Sequence, residues 1–392
     1  VGEITILGDE PYPYYARVLT SYYLGGIIPR ERLWLADPYW YGHQRIQLVT
    51  GQRATGVDVK RRQAILAGGA ELPYDRLLIA TGAASQKVDL PGGDHPDDGL
   101  GGVFTLRTLD DAAAIAEYAR PGGRAVIIGG GLVGIKAAEG LHARGLEVRL
   151  VVSSGRLLSQ VLDDAGAELV RRAMVAAGFA IHLLEDVVAL EGQEKVTGAV
   201  LRSGVTVPAD VVLVGKGVRP NAAFLQGSGV KVNQGVVVDN CLATSIPGIY
   251  AAGDVAEAYD RAWQRPRLNA IWGNAVEQGR IAGLNMAGHQ TTYRGGIGQN
   301  SLVVGGLGVI SGGIVNPPEE VEGGYQVFTR LDAGRSHYRK VVLQGRRLAG
   351  MVAVGQTRGT GSFLSLIGRE VRESWVASFL DGSFSSAMIG RC

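Results

Sequence analysis

The sequence predicts an α/β protein: two Rossmann-like, three-layer domains followed by a C-terminal α+β domain. Three observations carry that prediction. Glycine supplies 59 of 392 residues, about twice average usage, and the glycines cluster beside β-branched runs rather than forming a repeat or a linker. Residues 124–152 read as strand, glycine turn, helix and second strand, a complete βαβ unit. From about residue 290 the texture changes to short alternating strands divided by glycine turns.

The elements follow in order. Residues 3–8 open as a strand, 11–15 are aromatic and proline-containing, and a helical stretch comes next. Segments 47–50, 56–59 and 63–66 alternate in polarity and read as a small antiparallel meander. Residues 74–82 read as a buried strand ending in a glycine turn. A loop rich in Pro, Gly and Asp at 91–102 marks a boundary, so residues 1–105 form the first unit. Within 106–225, residues 124–128 and 147–152 are strands, 135–144 a helix, and 163–177 a second helix. That second helix carries Leu169, Val170, Ala173, Met174 and Ala177 on one face. Residues 226–289 hold an apolar strand at 246–254 and a helix from about 273 to 287, and 290–392 form the last domain.

Charge and cysteine usage exclude several classes. Lys+Arg total 39 against Asp+Glu 37, a net charge of +2. With no basic block or acidic tail, neither nucleic acid nor an anionic membrane is an expected partner. Two cysteines, Cys241 and Cys392, make neither a disulfide framework nor a thiolate metal site, and the expected compartment is the cytoplasm. The richest apolar stretch, 302–315, is interrupted by glycines and is too short to span a bilayer. His43, His95, His142, His182, His289 and His337 show no metal-ligand spacing, so no metal is expected.

Gly129-x-Gly131-x-x-Gly134 follows a hydrophobic strand and opens a helix, the context that makes this pattern a dinucleotide turn. Gly129 makes the tight turn, Gly131 admits a pyrophosphate against the backbone, and Gly134 lets helix and strand approach. The helix N-terminus, beginning with Leu132 and Val133, supplies N–H groups. The second strand ends on Val152, where an NAD site ordinarily has a carboxylate for the ribose hydroxyls. Arg156 follows four residues later as a candidate for a 2′-phosphate, so NADH and NADPH both stay open.

The segment Ile246-Pro-Gly-Ile-Tyr-Ala-Ala-Gly-Asp254 adds to this, with Ala80-Thr81-Gly82 and Gly215-Lys216-Gly217-Val218-Arg219-Pro220-Asn221. Together with the βαβ unit, the chain resembles the FAD-dependent pyridine nucleotide oxidoreductase family over nearly its whole length. Segments 300–307, 338–343 and 348–351 also match the branch of NADH:rubredoxin reductases and nitrite-reductase flavin modules. The resemblance implies FAD binding by 1–105 and 226–289, NAD(P) binding by 106–225, and an interface or docking role for 290–392. It assigns Asp254, with Gly253, to the FAD ribityl chain and Asp9 or Glu10 to the adenosine ribose. Arg17, Ala54, Ala80, Thr81, Gly82 and Arg107 would lie beside the cofactor. The helix start at Trp272, Asn274 and Ala275 would point at the flavin pyrimidine ring. Gly215, Lys216 and Gly217 would flank the nicotinamide.

The implied reaction moves a hydride from NADH or NADPH to flavin and returns electrons singly to a protein carrier such as rubredoxin, ferredoxin or an iron–sulfur subunit. The alternative is a flavin-binding electron-transfer or regulatory subunit of a larger metal-containing oxidoreductase. A homodimer or hetero-oligomer is open, as is whether the tail 374–380 docks a partner or is structural. Three departures stand out. Segment 18–22 has Ser21 and no redox cysteine, which removes a thiol relay. Lys136 stands where the family has Glu near the nicotinamide. The family's opening strand, glycine turn and helix do not precede residue 3, so the sequence reads as one entered partway.

Overall fold

Ala125–Ile128 is an unbroken apolar run, and all four residues are buried, as expected for a parallel strand covered on both faces. A computed structural model describes residues 2–86, 88, 90–91, 100–319 and 324–391; His95 and Cys392 lie outside the described residues. The strand Arg124–Ile128 is central in a five-stranded parallel sheet. Glu147–Val152 and Ala180–Leu183 lie on one side, Val211–Val214 and Val103–Thr105 on the other.

Side chains alternate across this sheet with period two. Ala125, Ile127, Leu150 and Leu213 pack with the helices Leu109–Tyr118, Leu132–Ala143 and Asp164–Ala176. Val126, Ile128, Val151 and Val212 face an antiparallel ribbon of Val187–Gly192, Val196–Leu201 and Thr206–Pro208. The third layer is therefore a ribbon.

The flanking domain is built from short pieces. Leu77–Ile79 pairs in parallel with Ile249–Ala251, and Ile4–Leu7 with Ile46–Val49. The meander consists of Ala54–Asp58, Gln63–Leu66 and Glu71–Pro73. The expectation that 47–50 belongs to it is corrected. Left-handed residues Arg45 (φ 56°) and Gly51 (φ 68°) bracket that tract and hand it to the first strand. Polarity alternation does not distinguish the two partners.

The third domain is an antiparallel sheet in the order Gln299–Val304, Leu307–Gly313, Arg347–Gly355, His337–Gln344, Gln326–Asp332. One face, with Val352, Val354 and Tyr338, joins the core of the nucleotide domain. The other, with Val341, Met351 and Ala353, packs against its own helices. The tail 374–380 supplies one of these, Glu373–Asp381. Phe379 is fully buried and stacks on Phe363 at 4.2 Å. Val376 is buried in the same core, and Trp375 and Leu380 pack against it half-buried. Among the described residues no helix is long and apolar enough to cross a membrane.

Candidate functional site

At the end of Arg124–Ile128 the chain reverses through Gly129, whose φ of 117° excludes a side chain. A Cβ on Gly129 would stand 2.4 Å from the Gly215 carbonyl oxygen, and one on Gly134 would stand 2.4 Å from the Gly129 oxygen. These two glycines, with Gly215, make the backbone turn possible. Gly131 differs: it has ordinary extended backbone (φ −80°, ψ −179°), and nothing lies within 4 Å of its Cβ position. It is the N-cap of Leu132–Ala143, and no side chain caps that helix. Its first N–H groups have no partner within the helix, and they open onto the space beside Gly131. This geometry fits a pyrophosphate.

Val152 closes one side of the turn, its methyls 2.9 Å from a Cβ built on Gly130. It is buried and presents no carboxylate. Arg156 is held by Asp164 at 2.8 Å and Lys216 by Asp186 at 2.7 Å, so each is already paired. Gly217 (φ 96°) has open space around it.

Lys136 lies one turn into the helix at a three-way junction. Its Nζ donates to Glu139 at 2.6 Å and to the Val303 carbonyl at 3.5 Å, and it stands 5.0 Å from the Tyr22 ring centroid. Glu139 in turn accepts from the Gly305 N–H. Tyr22 was not foreseen, because its approach to Lys136 joins separate elements, whereas Glu139 is an i,i+3 neighbour on the same helix that the sequence offered.

The second cluster lies where Leu77–Ile79 and Ile249–Ala251 run side by side. That pairing sets Thr81–Gly82 beside Gly253–Asp254. Gly82 and Gly253 both have positive φ, 65° and 81°. Arg107 joins the two turns: Nη2 donates to Asp254 at 2.6 Å and Nε to the Ala83 carbonyl at 2.8 Å. Thr81 Oγ1 donates to the Asn221 carbonyl, and Asn221 Nδ2 donates to the Thr81 carbonyl. Gly253 N–H donates to Gln278 Oε1 at 2.8 Å. Gln278 was missed, although a polar side chain one turn past Asn274 on an apolar helix face was its signal. Ala275 sits 3.5 Å from a Cβ built on Gly253.

The helix Trp272–Met286 has no side-chain cap, so its first N–H groups face this junction. The Asn274 side chain is buried and donates to the Ile297 carbonyl at 3.0 Å. Trp272 stacks on Tyr14 at 6.0 Å.

At the N-terminal end Glu10 is occupied by Arg17 and by the Tyr15 hydroxyl, 2.6 Å away. Burial, reinforced by Glu10, pushes the Tyr15 phenol well above its ordinary range. Arg17 also donates to the Arg107 carbonyl, linking this group to the second cluster. Asp9 is more exposed and holds Arg53, next to Ala54. Between Asp9 and Glu10, Asp9 has more of its carboxylate available for ribose hydroxyls. These residues fit FAD at its ribose and flavin ends: a carboxylate beside a guanidinium, glycine turns, and an uncapped helix start.

The pyridine nucleotide-disulphide oxidoreductase family model matches residues 2–279. The chain belongs to that family. A second model, the rubredoxin NAD+ reductase C-terminal domain, matches residues 299–371. The chain is 31% identical over 369 residues to the NAD(P)H nitrite reductase of Bacillus subtilis (strain 168), covering 94% of this chain but 44% of that protein. It is 32% identical to the NADH-dependent phenylglyoxylate dehydrogenase subunit epsilon of Aromatoleum evansii, covering 93% and 85% of the two chains. The solved ferredoxin reductase for the CYP199A2 system from Rhodopseudomonas palustris superposes with a TM-score of 0.85 at 26% identity, over 99% of this chain and 93% of that one. This chain thus spans less than half of the first curated relative. The family's cofactors are FAD and NAD(P)H.

Arg107 and Asp254 are largely buried, with side chains 22% and 16% exposed. Removing one partner leaves the other charge unpaired. Arg107→Ala is expected to cost on the order of 2 kcal/mol of FAD affinity. The readout is the flavin-to-protein ratio after gel filtration, which should fall well below that of the wild type.

Proposed function

We propose that this chain is an FAD-dependent NAD(P)H oxidoreductase that exchanges electrons with a protein carrier without a thiol relay. The carrier would be a rubredoxin, a ferredoxin, or an iron–sulfur or other metal-containing oxidoreductase subunit. The observation that carries the reading is the pair of cofactor cradles, the Gly129–Gly134 turn and the Arg107–Asp254 cluster, together with Ser21 in place of a cysteine in segment 18–22. Ser21 packs against Gly140 of the nucleotide-domain helix, its carbonyl oxygen 3.1 Å from a Cβ built there. Cys241 lies at the opposite end of Trp272–Met286 from the helix start, its carbonyl bonded by Asn285. A helix of 15 residues separates those ends by about 22 Å.

Bound FAD would supply hydride acceptance and single-electron release. The chain's own residues bind and orient. The Gly131 turn holds the pyrophosphate of the nucleotide. Arg107 fixes Asp254 toward the ribityl position. The uncapped start of Trp272–Met286 directs positive dipole where negative charge develops on reduction. The need for a pyridine nucleotide and a sequence with two cysteines suit a cytoplasmic setting.

Anaerobic titration of the holoprotein with NADH and with NADPH tests the reading. Bleaching of the flavin absorbance by either nucleotide is expected, followed by reoxidation with ferricyanide. A flavin that stays oxidised with both would instead support a non-catalytic subunit of a larger complex. Alkylating Cys241 with iodoacetamide is expected to leave the ferricyanide rate unchanged.

A further inference from the structure

Between the strand Glu147–Val152 and the helix Asp164–Ala176 the chain passes through residues 153–163, and this stretch walls one side of the nucleotide turn. The Leu158 N–H donates to the Gly130 carbonyl at 2.8 Å, and Leu157 Cδ2 stands 3.0 Å from a Cβ built on Gly130. Leu157 and Leu158 are both buried. Leu158 has a φ of 52°, a left-handed backbone that is uncommon in a residue with a Cβ. Such a conformation persists only where its surroundings hold it, and it collects at functional sites.

Part of what holds it comes from another domain. Val161 and Leu162 donate back to the Leu158 carbonyl at 2.8 and 2.9 Å, closing a turn over 158–162. The Ser159 and Leu162 carbonyls of that turn accept from a single nitrogen, Asn316 Nδ2, at 3.0 and 3.1 Å. Both partners are acceptors, so the amide must present its nitrogen to them, and its two N–H groups are engaged. Asn316 stands 157 and 154 positions away from these partners, three residues past the strand Leu307–Gly313 of the third domain. Asp163, the next residue of the loop, is held from the same domain by Tyr338 and Lys340. The wall of the nucleotide turn is thus fastened at its far end by residues that belong to a different domain.

A binding turn whose wall is already ordered loses less conformational entropy when its ligand arrives. We infer that Asn316 is a positioning residue for the pyridine nucleotide. From the third domain it keeps residues 158–162 closed and Leu158 left-handed, with the Leu158 N–H on the Gly130 carbonyl, so that the Gly131 turn is preformed. Its effect passes through the loop, since its amide is engaged by the two carbonyls. The inference rests on the reading of that turn as the pyrophosphate site, and it gives the third domain a part in nucleotide affinity.

The probe is ADP-ribose, which carries the adenosine and pyrophosphate of the nucleotide and lacks the nicotinamide; its Kd is measured by calorimetry on the oxidised holoprotein. Asn316→Ala removes both donors and is expected to raise that Kd about fivefold or more. Asn316→Asp sets oxygens against the two carbonyls and should raise it further. In turnover with ferricyanide, KM for NADH or NADPH should rise by a similar factor while kcat and the flavin-to-protein ratio stay within about twofold. Val352→Ala thins the core between the two domains without touching the loop bonds. It should lower the melting temperature and keep the ADP-ribose Kd within about twofold of wild type. Equal Kd for wild type and both Asn316 variants would overturn the proposal and leave the reading of the turn intact. A kcat or flavin content that falls in step with affinity would also overturn it, as would the same rise in Kd from Val352→Ala. A wild type that binds neither ADP-ribose nor NAD(P)H would sink the proposal together with the reading of the turn. A flavin that NAD(P)H fails to reduce, in a protein that binds ADP-ribose, would sink the catalytic reading and leave the Kd comparison to decide the role of Asn316.

Discussion

Gly131→Ala is expected to leave the protein folded and to weaken pyridine nucleotide binding about tenfold or more. The backbone at Gly131 is ordinary extended chain, and the added methyl meets nothing within 4 Å. A substitution of that kind changes stability by about 0.5 kcal/mol or less. The methyl does enter the space onto which the uncapped helix start opens. A pyrophosphate there would lose close contact with one or more N–H groups. Hydrogen bonds to charged groups are worth about 1.5–3 kcal/mol, and about 1.4 kcal/mol is a factor of ten.

Gly134→Ala is expected to behave in the opposite way. Its methyl would overlap the Gly129 carbonyl oxygen at 2.4 Å, an overpacking that costs about 1–3 kcal/mol, so thermal stability falls along with binding. Thermal melts and nucleotide titrations of both variants separate the two roles. A Gly131→Ala protein that binds NADH and NADPH as tightly as wild type would show that the turn holds no pyrophosphate.

The contrast between these glycines marks what sequence alone can reveal. The strand–turn–helix context of 124–144 is local, and local patterns specify backbone path: the buried strand, the helix and the φ-positive Gly129 all follow from it. Neighbours far apart in sequence do not. Arg107 and Asp254 were separate candidates, yet 147 positions apart they form one ion pair. Glu10 and Asp9 were interchangeable on paper, and only the approach of Tyr15 and Arg17 distinguishes them. Lys136 read as a charge reversal near the nicotinamide. Its Glu139 partner is an i,i+3 neighbour visible in sequence, whereas the Tyr22 ring and Val303 carbonyl come from elements brought together by tertiary packing. The 47–50 tract failed for a related reason, since alternation reports a half-buried strand without saying which strand it joins.

Asp163→Asn is expected to be the most destabilising single substitution outside the glycine turn. Asp163 caps the helix Asp164–Ala176 through the Gly166 N–H, and its other oxygen receives Lys340 Nζ at 2.7 Å and the Tyr338 hydroxyl at 2.5 Å. Lys340 is 7% exposed, and this carboxylate is its counter-charge. Burial pushes the Asp163 carboxyl up, but Lys340 and Tyr338 outweigh it and hold it below its ordinary value. Asparagine preserves the cap and removes the charge, leaving a buried ammonium uncompensated at a cost of about 3–5 kcal/mol. At about 2–4 °C per kcal/mol that corresponds to a fall in apparent Tm of roughly 6–20 °C.

The pH dependence has a definite sign. Because the folded carboxyl is depressed, its contribution is complete above the unfolded value near about 3.9 and is lost as pH falls through the folded value. The gap in apparent Tm between wild type and Asp163→Asn should therefore be constant near neutrality and close in acid. Replacing both partners, Asp163→Leu with Lys340→Met, should cost less than Asp163→Asn alone, because two apolar groups leave no buried charge unpaired. If the double variant is the less stable of the two, the contact between the nucleotide domain and the third domain draws its strength from the ion pair rather than from the surrounding core of Val352, Val354 and Tyr338.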